Sequence, residues 1–271
     1  MVSYENVDDK LLSRLKNHGF QTVKTKTKYE KTRFQGISTV ILFNTGKLLV
    51  QGTKESVEST RKILEFLGIP SKEKKFHGLA VGSDETLKGD TFGGIVVAGF
   101  LADDTTREQL IDLKVRDSKR LTTAQVCELA KKLIEIYPGH YSVESLFPKE
   151  YNKLNTRKNV TEILNDLHLK CYKKLIGRKR IIHIVDKFPG CQVGDIIEAK
   201  AESRYYEVAA ASCIARYFGL KQIRELEQRA GLIIPLGSTN VYSALIHLKK
   251  KSLNPADYVK LEFKNVRELF G

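Results

Sequence analysis

Apolar positions in the first 70 residues alternate between helical and strand-like spacing. Leu11, Leu12 and Leu15 are spaced as on one face of a helix, whereas residues 21–28 alternate Val and Thr with Lys, as in a half-exposed strand. The predicted elements are a helix around 11–20, a strand at 21–28, a hairpin formed by 37–43 and 47–50 with its turn at 44–46, and a closing helix at 57–67. Residues 1–70 are therefore predicted to form a small α+β domain.

From residue 79 onward, short apolar runs alternate with longer amphipathic stretches. Short runs are typical of buried strands and long ones of helices. The predicted strands lie at 79–83, 94–101 and 180–186, and the predicted helices at about 123–136, 157–176, 205–229 and 238–249. This mixture predicts an α/β layered domain over residues 79–271. The polar stretch 71–78 lacks periodicity and predicts a linker.

The chain is strongly basic, with a formal net charge of +14. Residues 1–75 carry 15 Lys and Arg against 8 Asp and Glu, which is half of the excess in little more than a quarter of the chain. Such a charge suggests a polyanionic partner, either nucleic acid or a membrane surface. The sequence has no apolar stretch of 18 residues and no signal peptide, so we expect a cytoplasmic protein that binds nucleic acid and no membrane.

Carboxylates follow apolar runs at the ends of two predicted strands. Asp84 and Glu85 come after the run 79–81, and Asp186 ends the strand predicted at 180–186. Glu202 lies just before a stretch of small residues, 208–215, which predicts a helix able to pack closely on a sheet. Like charges in one cleft raise one another's pKa unless a cation neutralises them, and Mg²⁺ and Mn²⁺ prefer such oxygen ligands. The sequence therefore predicts a divalent-metal site if the two strands are neighbours.

Two interpretations of these acids remain open from the residues alone. An acidic site inside a basic chain is typical of a metal-dependent nuclease, in which cations hold the phosphate backbone and acids hold the metal. The alternative is a non-catalytic nucleic-acid-binding protein, in which Asp84 and Glu85 form an acidic turn between two strands.

Five motifs follow one another in a fixed order along the second segment. They are Gly82-Ser-Asp-Glu-Thr-Leu-Lys-Gly-Asp-Thr-Phe-Gly-Gly94, Val115-Arg-Asp-Ser-Lys119, the strand ending in Asp186, Lys200-Ala-Glu202 and Val208-Ala-Ala-Ala-Ser212. Together they resemble the prokaryotic type 2 ribonucleases H. Tyr151-Asn-Lys-Leu154 and Pro235-Leu-Gly-Ser-Thr-Asn-Val241 resemble ribonuclease HIII rather than HII. The N-terminal segment, with Phe34-Gln-Gly36, Gly46-Lys47 and Gln51-Gly52, is similar to the TATA-binding-protein-like domain of ribonuclease HIII.

The resemblance implies an RNase H-like, mixed-sheet catalytic domain at 79–271, preceded by a small α+β TATA-binding-protein-like domain at 1–70 that binds substrate. It implies an endoribonuclease that hydrolyses the RNA strand of RNA–DNA hybrids with Mg²⁺ or Mn²⁺ and without an organic cofactor. Its metal ligands and catalytic residues are then Asp84, Glu85, Asp186 and Glu202, the last standing where other members often have Asp. A close alternative is HII-like nicking at single ribonucleotides in duplex DNA. We expect a monomer.

Candidate nucleic-acid contacts fall in three places. Lys88 and Gly89 follow the acidic pair, and Ser118 and Lys119 belong to the second motif. In the N-terminal segment the candidates are Tyr29, Lys31, Arg33 and Lys47, while Phe34 is either a stacking residue or part of the core.

The loop after the acidic pair departs from the family pattern. The family usually has Gly-x-Gly where this chain has Leu87-Lys-Gly89. Glycine adopts a positive φ easily and leucine does not, so we expect this loop to differ in shape. Four histidines belong to no motif and are expected at the surface, namely His77, His140, His168 and His247.

Overall fold

The computed structural model describes residues 2–4, 7, 9–69, 77–115 and 121–271. The chain divides into two compact units, residues 1–75 and 76–271. The division falls within the stretch 71–78 predicted as a linker, of which residues 71–76 lie outside the described part. Each unit has hydrophobic core residues of its own.

The first unit is a five-stranded antiparallel sheet with helices. The strand order is β1-β5-β4-β3-β2. Its elements are β1 (Val2–Tyr4), α1 (Asp9–Leu12) continuing into a 3₁₀ helix (Ser13–His18), β2 (Gln21–Val23), β3 (Glu30–Gln35), β4 (Thr39–Phe43), β5 (Leu48–Gln51) and α2 (Lys54–Phe66). Leu15, Phe20, Val50 and Leu64 lie in one core between the sheet and the helices. The small α+β domain predicted from the sequence is confirmed.

The hairpin β4–β5 forms where it was predicted, and Gly46 takes a φ of 76° in its turn. The strand predicted at 21–28 is shorter, because β2 ends at Val23 and the chain turns into β3. β3 was not predicted from the sequence, because only Glu30 and Phe34 are buried in it and the residues between them, such as Lys31, are polar. Phe34 is only 3% exposed and lies in the core, so a stacking role for it is wrong.

The second unit is built on a five-stranded mixed sheet of order β10-β9-β6-β7-β8. β7 pairs antiparallel with β6 and β8, whereas β9 pairs parallel with β6 and β10. Its strands are β6 (Ala80–Thr86), β7 (Ile95–Ala102), β8 (Tyr141–Leu146), β9 (Ile182–Asp186) and β10 (Ile196–Glu198). Its helices are α3 (Asp104–Asp112), α4 (Thr123–Ile136), α5 (Pro148–Asn155), α6 (Val160–Ile176), α7 (Tyr206–Ala230), α8 (Tyr242–Lys250) and α9 (Lys264–Phe270). The predicted mixed-sheet α/β domain is confirmed.

Helix α7 packs directly on the backbone of β6. A Cβ added to Gly82 of β6 would lie 2.3 Å from the backbone nitrogen of Val208 and 2.4 Å from the carbonyl carbon of Glu207. The helix face that meets the sheet is made of buried small residues, including Ala209 and Ala210. The prediction of a close-packing small-residue helix is therefore confirmed, and this contact fixes where the start of α7 lies relative to the end of β6.

Several elements of the second unit were not predicted. β8 alternates polar and partly buried residues at one edge of the sheet, so its sequence resembles a loop. The helix predicted at 157–176 begins at Val160, where Asn159 and Glu162 form a capping box, and a separate helix, α5, precedes it. Across the described ranges, no helix is both long and apolar enough to cross a membrane.

Candidate active site

The four predicted carboxylates line one cleft. β6 and β9 run parallel with Ser83 opposite Val185, so Asp84 and Glu85 lie beside Asp186 at the same edge of the sheet. Glu202 enters from a 3₁₀ helix, Ala201–Ser203, directly before α7. The cleft has a volume of about 330 Å³, and its other lining residues are Thr86, Leu87, Lys88, Gly89 and Ser212. The condition set by the sequence, that the two strands be neighbours, is met.

Asp84 is a buried acid whose pKa is strongly raised. Its side chain is 8% exposed, and its Oδ1 accepts a hydrogen bond from the backbone N–H of Glu85 at 2.8 Å. Burial, then the charge of Glu85 and that of Asp186, raise the pKa of Asp84 to about 7, although a hydrogen bond from Ser212 opposes the shift. Negative charge is therefore crowded at this point of the cleft.

Glu85 is held by two cationic or polar partners. Lys88 Nζ lies 2.5 Å from its Oε1, and His168 Nε2 lies 3.3 Å from its Oε2. Burial raises the pKa of Glu85, but its contacts with His168 and then Lys88 outweigh burial and lower it. Glu85 thus stays ionised, and its charge adds to burial in raising the pKa of Asp84.

His168 is completely buried, so the expectation that it lies at the surface is wrong. It projects from α6 with Nδ1 2.7 Å from Ser83 Oγ, and Ser83 Oγ is also 2.8 Å from His183 Nε2 on β9. The sequence carried a signal for this, because His168 has the spacing of Leu164 and Cys171, both on the buried face of α6. His77 and His247 are exposed and His140 is half-buried.

The hydroxyl of Ser83 links the two histidine rings, since it can donate to one of them and accept from the other. The second ring nitrogen of His168, Nε2, faces Glu85. Burial lowers the pKa of His183 to about 3, so its ring is neutral. The 3.3 Å contact to Glu85 is an ion-pair distance rather than a well-formed hydrogen bond, since neither atom meets hydrogen-bond geometry.

The cleft fits a divalent cation by its donor chemistry. It offers carboxylate oxygens from four side chains, the ligands that Mg²⁺ and Mn²⁺ prefer, and the raised pKa of Asp84 shows that positive charge would stabilise the cluster. Within the described residues, no three His, Cys, Asp or Glu side chains are already arranged as a metal cage. Glu85 is paired with Lys88, and Asp186 Oδ1 accepts the backbone N–H of Ala201 at 2.7 Å. A cation would therefore compete with Lys88 for Glu85.

Leu87 adopts the left-handed conformation that its residue type disfavours. Its φ is 65°, which costs a residue with a Cβ about 1–2 kcal/mol. The side chain is 5% exposed and packs in a core with Phe92 and Ile223, and burial of a leucine is worth about 1.5–3 kcal/mol. Gly219 of α7 leaves room for it, since a Cβ there would lie 3.3 Å from Leu87 Cγ. Leucine therefore takes up a conformation that glycine adopts more easily, and the burial of its side chain offsets the cost.

The predicted nucleic-acid contacts are placed unequally. Lys88 and Gly89 line the cleft, whereas Ser118 and Lys119 lie outside the described residues. Three candidates of the first unit are exposed, namely Tyr29, Lys31 and Lys47. Arg33 is engaged within the fold, because its Nε and Nη2 donate to Glu30 at 2.9 and 2.8 Å. The side chain of Arg33 is only 11% exposed, so it is less accessible to a phosphate than the three exposed candidates.

Replacing Asp84 by Asn should stabilise the metal-free protein at alkaline pH. The Asp84 carboxyl prefers its protonated form in the fold, so its favourable contribution is complete below its ordinary pKa of 3.8 and is lost as pH rises through about 7. Asp84→Asn, which mimics the protonated form, should raise the free energy of unfolding at pH 8 by on the order of 1–3 kcal/mol. The gain should be smaller at pH 5.

Urea unfolding in excess chelator at pH 5 and pH 8 measures this difference. Asp112→Asn is the matched control, because Asp112 is exposed at the end of α3 and its charge is already solvated. Equal effects of the two substitutions at pH 8 would show that burial and neighbouring charges do not destabilise the ionised form of Asp84.

The chain is similar to known proteins along most of its length. The family model of ribonuclease HII matches residues 81–266. Ribonuclease HIII of Aquifex aeolicus (strain VF5) is 32% identical over 267 residues, covering 94% of this chain and 95% of that protein. Ribonuclease HIII of Bacillus subtilis (strain 168) is 30% identical, covering 85% of this chain and 84% of that protein.

Solved structures show the same fold. Bst-RNase HIII, crystallised in complex with Mn²⁺, aligns with a TM-score of 0.68 at 24% identity, covering 99% of this chain and 97% of that one. Aquifex aeolicus RNase H3 aligns with a TM-score of 0.57 at 28% identity, covering 97% of this chain and all of that one. Since both units are matched in sequence and in fold, the chain belongs to the ribonuclease HIII family.

Proposed function

We propose that this protein is an endoribonuclease that hydrolyses the RNA strand of RNA–DNA hybrids with bound Mg²⁺ or Mn²⁺. The observation that carries the proposal is the cleft in which β6, β9 and the start of α7 bring four carboxylates together in a basic chain. Membership of the ribonuclease HIII family supports hydrolysis and gives the substrate class. The crystal structure of Bst-RNase HIII with Mn²⁺ supports the choice of ion.

Asp84, Glu85, Asp186 and Glu202 hold the ion or ions in this proposal. When bound, a divalent cation activates water and stabilises the charge that develops on the phosphate during phosphodiester hydrolysis. A bound cation would stabilise the ionised form of Asp84, the more buried member of the acidic pair on β6. Lys88 leaves Glu85 for a backbone phosphate, a move that its position in the cleft permits.

His168 keeps Glu85 in place. It contacts one oxygen of Glu85 from inside the protein, so the other oxygen stays directed towards Lys88 and the cleft. Ser83 and His183 fix the His168 ring in turn. Partners of this kind behind a metal ligand orient it, and their loss typically costs about 10–100-fold in metal affinity or activity.

The N-terminal unit binds the hybrid in this proposal. Residues 1–70 hold none of the cleft carboxylates, and the N-terminal segment carries half of the chain's excess positive charge. Tyr29 is 64% exposed with Lys28 Nζ 5.4 Å from its ring centroid, and Lys31 and Lys47 are exposed as well. An exposed ring beside cations suits contact with a sugar and its phosphates.

Removal of single cleft carboxylates should abolish cleavage of a labelled RNA–DNA hybrid. Each substitution removes a metal ligand and with it several kcal/mol of transition-state stabilisation, which corresponds to a fall in rate on the order of 10³-fold. We expect this fall for Asp84→Asn and Glu202→Gln. Glu198→Gln is the matched control, because Glu198 pairs with Asp186 in the sheet register but binds Arg204 and Tyr205 instead of lining the cleft. Near-wild-type turnover by Asp84→Asn, or no dependence on added Mg²⁺ or Mn²⁺, would contradict the proposal.

The same enzyme should prefer runs of ribonucleotides to a lone one in a DNA duplex. The 2′-OH is the main chemical difference that the cleaved strand offers, and reading a single 2′-OH requires close contacts around it. The segment 235–240 contains no aromatic residue to pack against one sugar. Rates on two matched duplexes, one with several ribonucleotides and one with a single ribonucleotide, measure the preference under each metal. Equal rates would favour HII-like nicking.

Replacing His168 by Ala should weaken Mn²⁺ binding and lower kcat by about 10–100-fold. The fold should persist, although a buried ring is lost. Calorimetric titration of Mn²⁺ into the protein supplies a readout independent of turnover. His140→Ala is the control, because His140 is bonded to Leu101 O away from the cleft. Unchanged Mn²⁺ affinity in His168→Ala would show that His168 does not position Glu85.

Deleting the first unit should weaken hybrid binding more than it weakens chemistry. The second unit has hydrophobic core clusters within its own residues, so residues 77–271 are expected to fold and to keep the cleft. The slope of the logarithm of the binding constant against the logarithm of the salt concentration should become shallower. The expected change is about 0.7–0.9 for each phosphate that the shortened protein no longer binds. Fluorescence anisotropy with a labelled hybrid at several salt concentrations measures this slope. An unchanged affinity and slope would assign the first unit another role.

A further inference from the structure

Lys260 is a completely buried lysine that no motif of the sequence singled out. Its Nζ donates to three backbone carbonyls, of Leu87 at 2.8 Å, Asp90 at 2.6 Å and Gly93 at 3.0 Å. An ammonium group has three donors, so all three are used on one loop. The rings of Tyr151 and Phe263 lie 5.7 and 5.4 Å from the same nitrogen, within the range of cation–π attraction.

Burying this ammonium is costly. Burial lowers the pKa of Lys260 to about 8, even though Asp90 and Glu262 act in the opposite direction. An apolar residue of the same length would avoid the cost, so the charge at this position calls for a reason other than filling space.

The loop that Lys260 binds, residues 87–93, connects the acidic pair to β7. Its first and last residues, Leu87 and Gly93, both have positive φ, 65° and 78°. Backbone in this conformation leaves the regular hydrogen-bond pattern of a strand, so its carbonyls need other donors. Lys260 supplies a donor to both of them and to Asp90 between them.

The second half of the loop has further ties to the C-terminal segment. The backbone N–H groups of Gly93 and Lys260 donate to Tyr258 O and Thr91 O, both at 3.0 Å. The first half carries Lys88 and Gly89, which line the cleft, and the Leu87 carbonyl before them accepts from the buried Lys260 ammonium. One side chain far along the chain therefore contacts the backbone at the start, the middle and the end of the loop.

We propose that Lys260 is a positioning residue, whose ammonium group holds the loop 87–93 in the shape that presents Lys88 and Gly89 to the nucleic-acid backbone. The inference rests on the proposed function. Lys260 then affects the affinity for substrate rather than the chemical step, because it contacts the loop and none of the four carboxylates. It also explains how a leucine is kept at a left-handed position beside the cleft.

Lys260→Met tests this assignment, because methionine has nearly the same length and no donor. We expect KM for an RNA–DNA hybrid to rise about tenfold while kcat stays within about threefold, and the Kd of the same hybrid to rise with KM. Hydrogen–deuterium exchange should accelerate in peptides covering 87–93. Lys251→Met is the matched control, because Lys251 Nζ also donates to backbone carbonyls, Ala230 O and Gly231 O, both at 2.8 Å, at the end of α7.

The outcomes separate this inference from a general loss of stability and from the proposed function. Wild-type KM and loop exchange in Lys260→Met would overturn it, as would a fall in kcat at constant KM or an equal rise of KM in Lys251→Met. If Lys260→Met does not fold, as judged by circular dichroism, Lys260→Gln replaces it: its uncharged amide has two donors for three carbonyls, and wild-type KM with wild-type loop exchange in that variant would overturn the assignment to the ammonium group. A wild-type enzyme that cleaves no hybrid would refute the proposed function, whereas the exchange measurement would still test the hold of Lys260 on the loop.

Discussion

Crowding of negative charge in a buried cleft is the constraint on which the rest of the site depends. Parallel pairing of β6 and β9 forces Asp84 and Asp186 to the same sheet edge, and Glu85 follows in the chain. The protein relieves the repulsion in pieces: Lys88 and His168 bind Glu85, the Ala201 N–H binds Asp186, and Asp84 takes on a raised pKa. The site thus has a strong electrostatic reason to bind a divalent cation, because a bound cation would remove the repulsion that remains.

The contact between α7 and β6 gives the cleft its dimensions. Gly82 lets the backbone of α7 approach the strand at a distance that no side chain would allow. The helix then contributes Ser212 to Asp84, and the turn before it contributes Glu202. The lack of a side chain at Gly82 is therefore as important to the arrangement of the acids as the acids themselves.

The loop after the acidic pair is held in shape by two residues that each carry an energetic cost. Leu87 bears a backbone cost, which the burial of its side chain beside Gly219 offsets. Lys260 adds a second cost, the desolvation of its charge, and satisfies three carbonyls in return. Both costs fall on buried residues, and Lys88 and Gly89 between them line the cleft.

The sequence by itself determined the parts of this protein that depend on local pattern. Apolar runs ending in acids located Asp84, Glu85 and Asp186, and small residues after Glu202 predicted the helix that packs on the sheet. β3 and β8 were not predicted, because a strand whose exposed positions are polar has the amino-acid composition of a loop.

Only the tertiary structure decided which polar groups are buried and what they bind. His168 and Lys260 are of the same residue types as others at the surface, and their roles depend on partners far away in the chain, Glu85 and Leu87. Leu87 shows the same limit for the backbone. Its residue type disfavours a positive φ, and the free energy that permits one comes from burial against Gly219 and from the Lys260 ammonium, contacts that arise only when distant segments pack together.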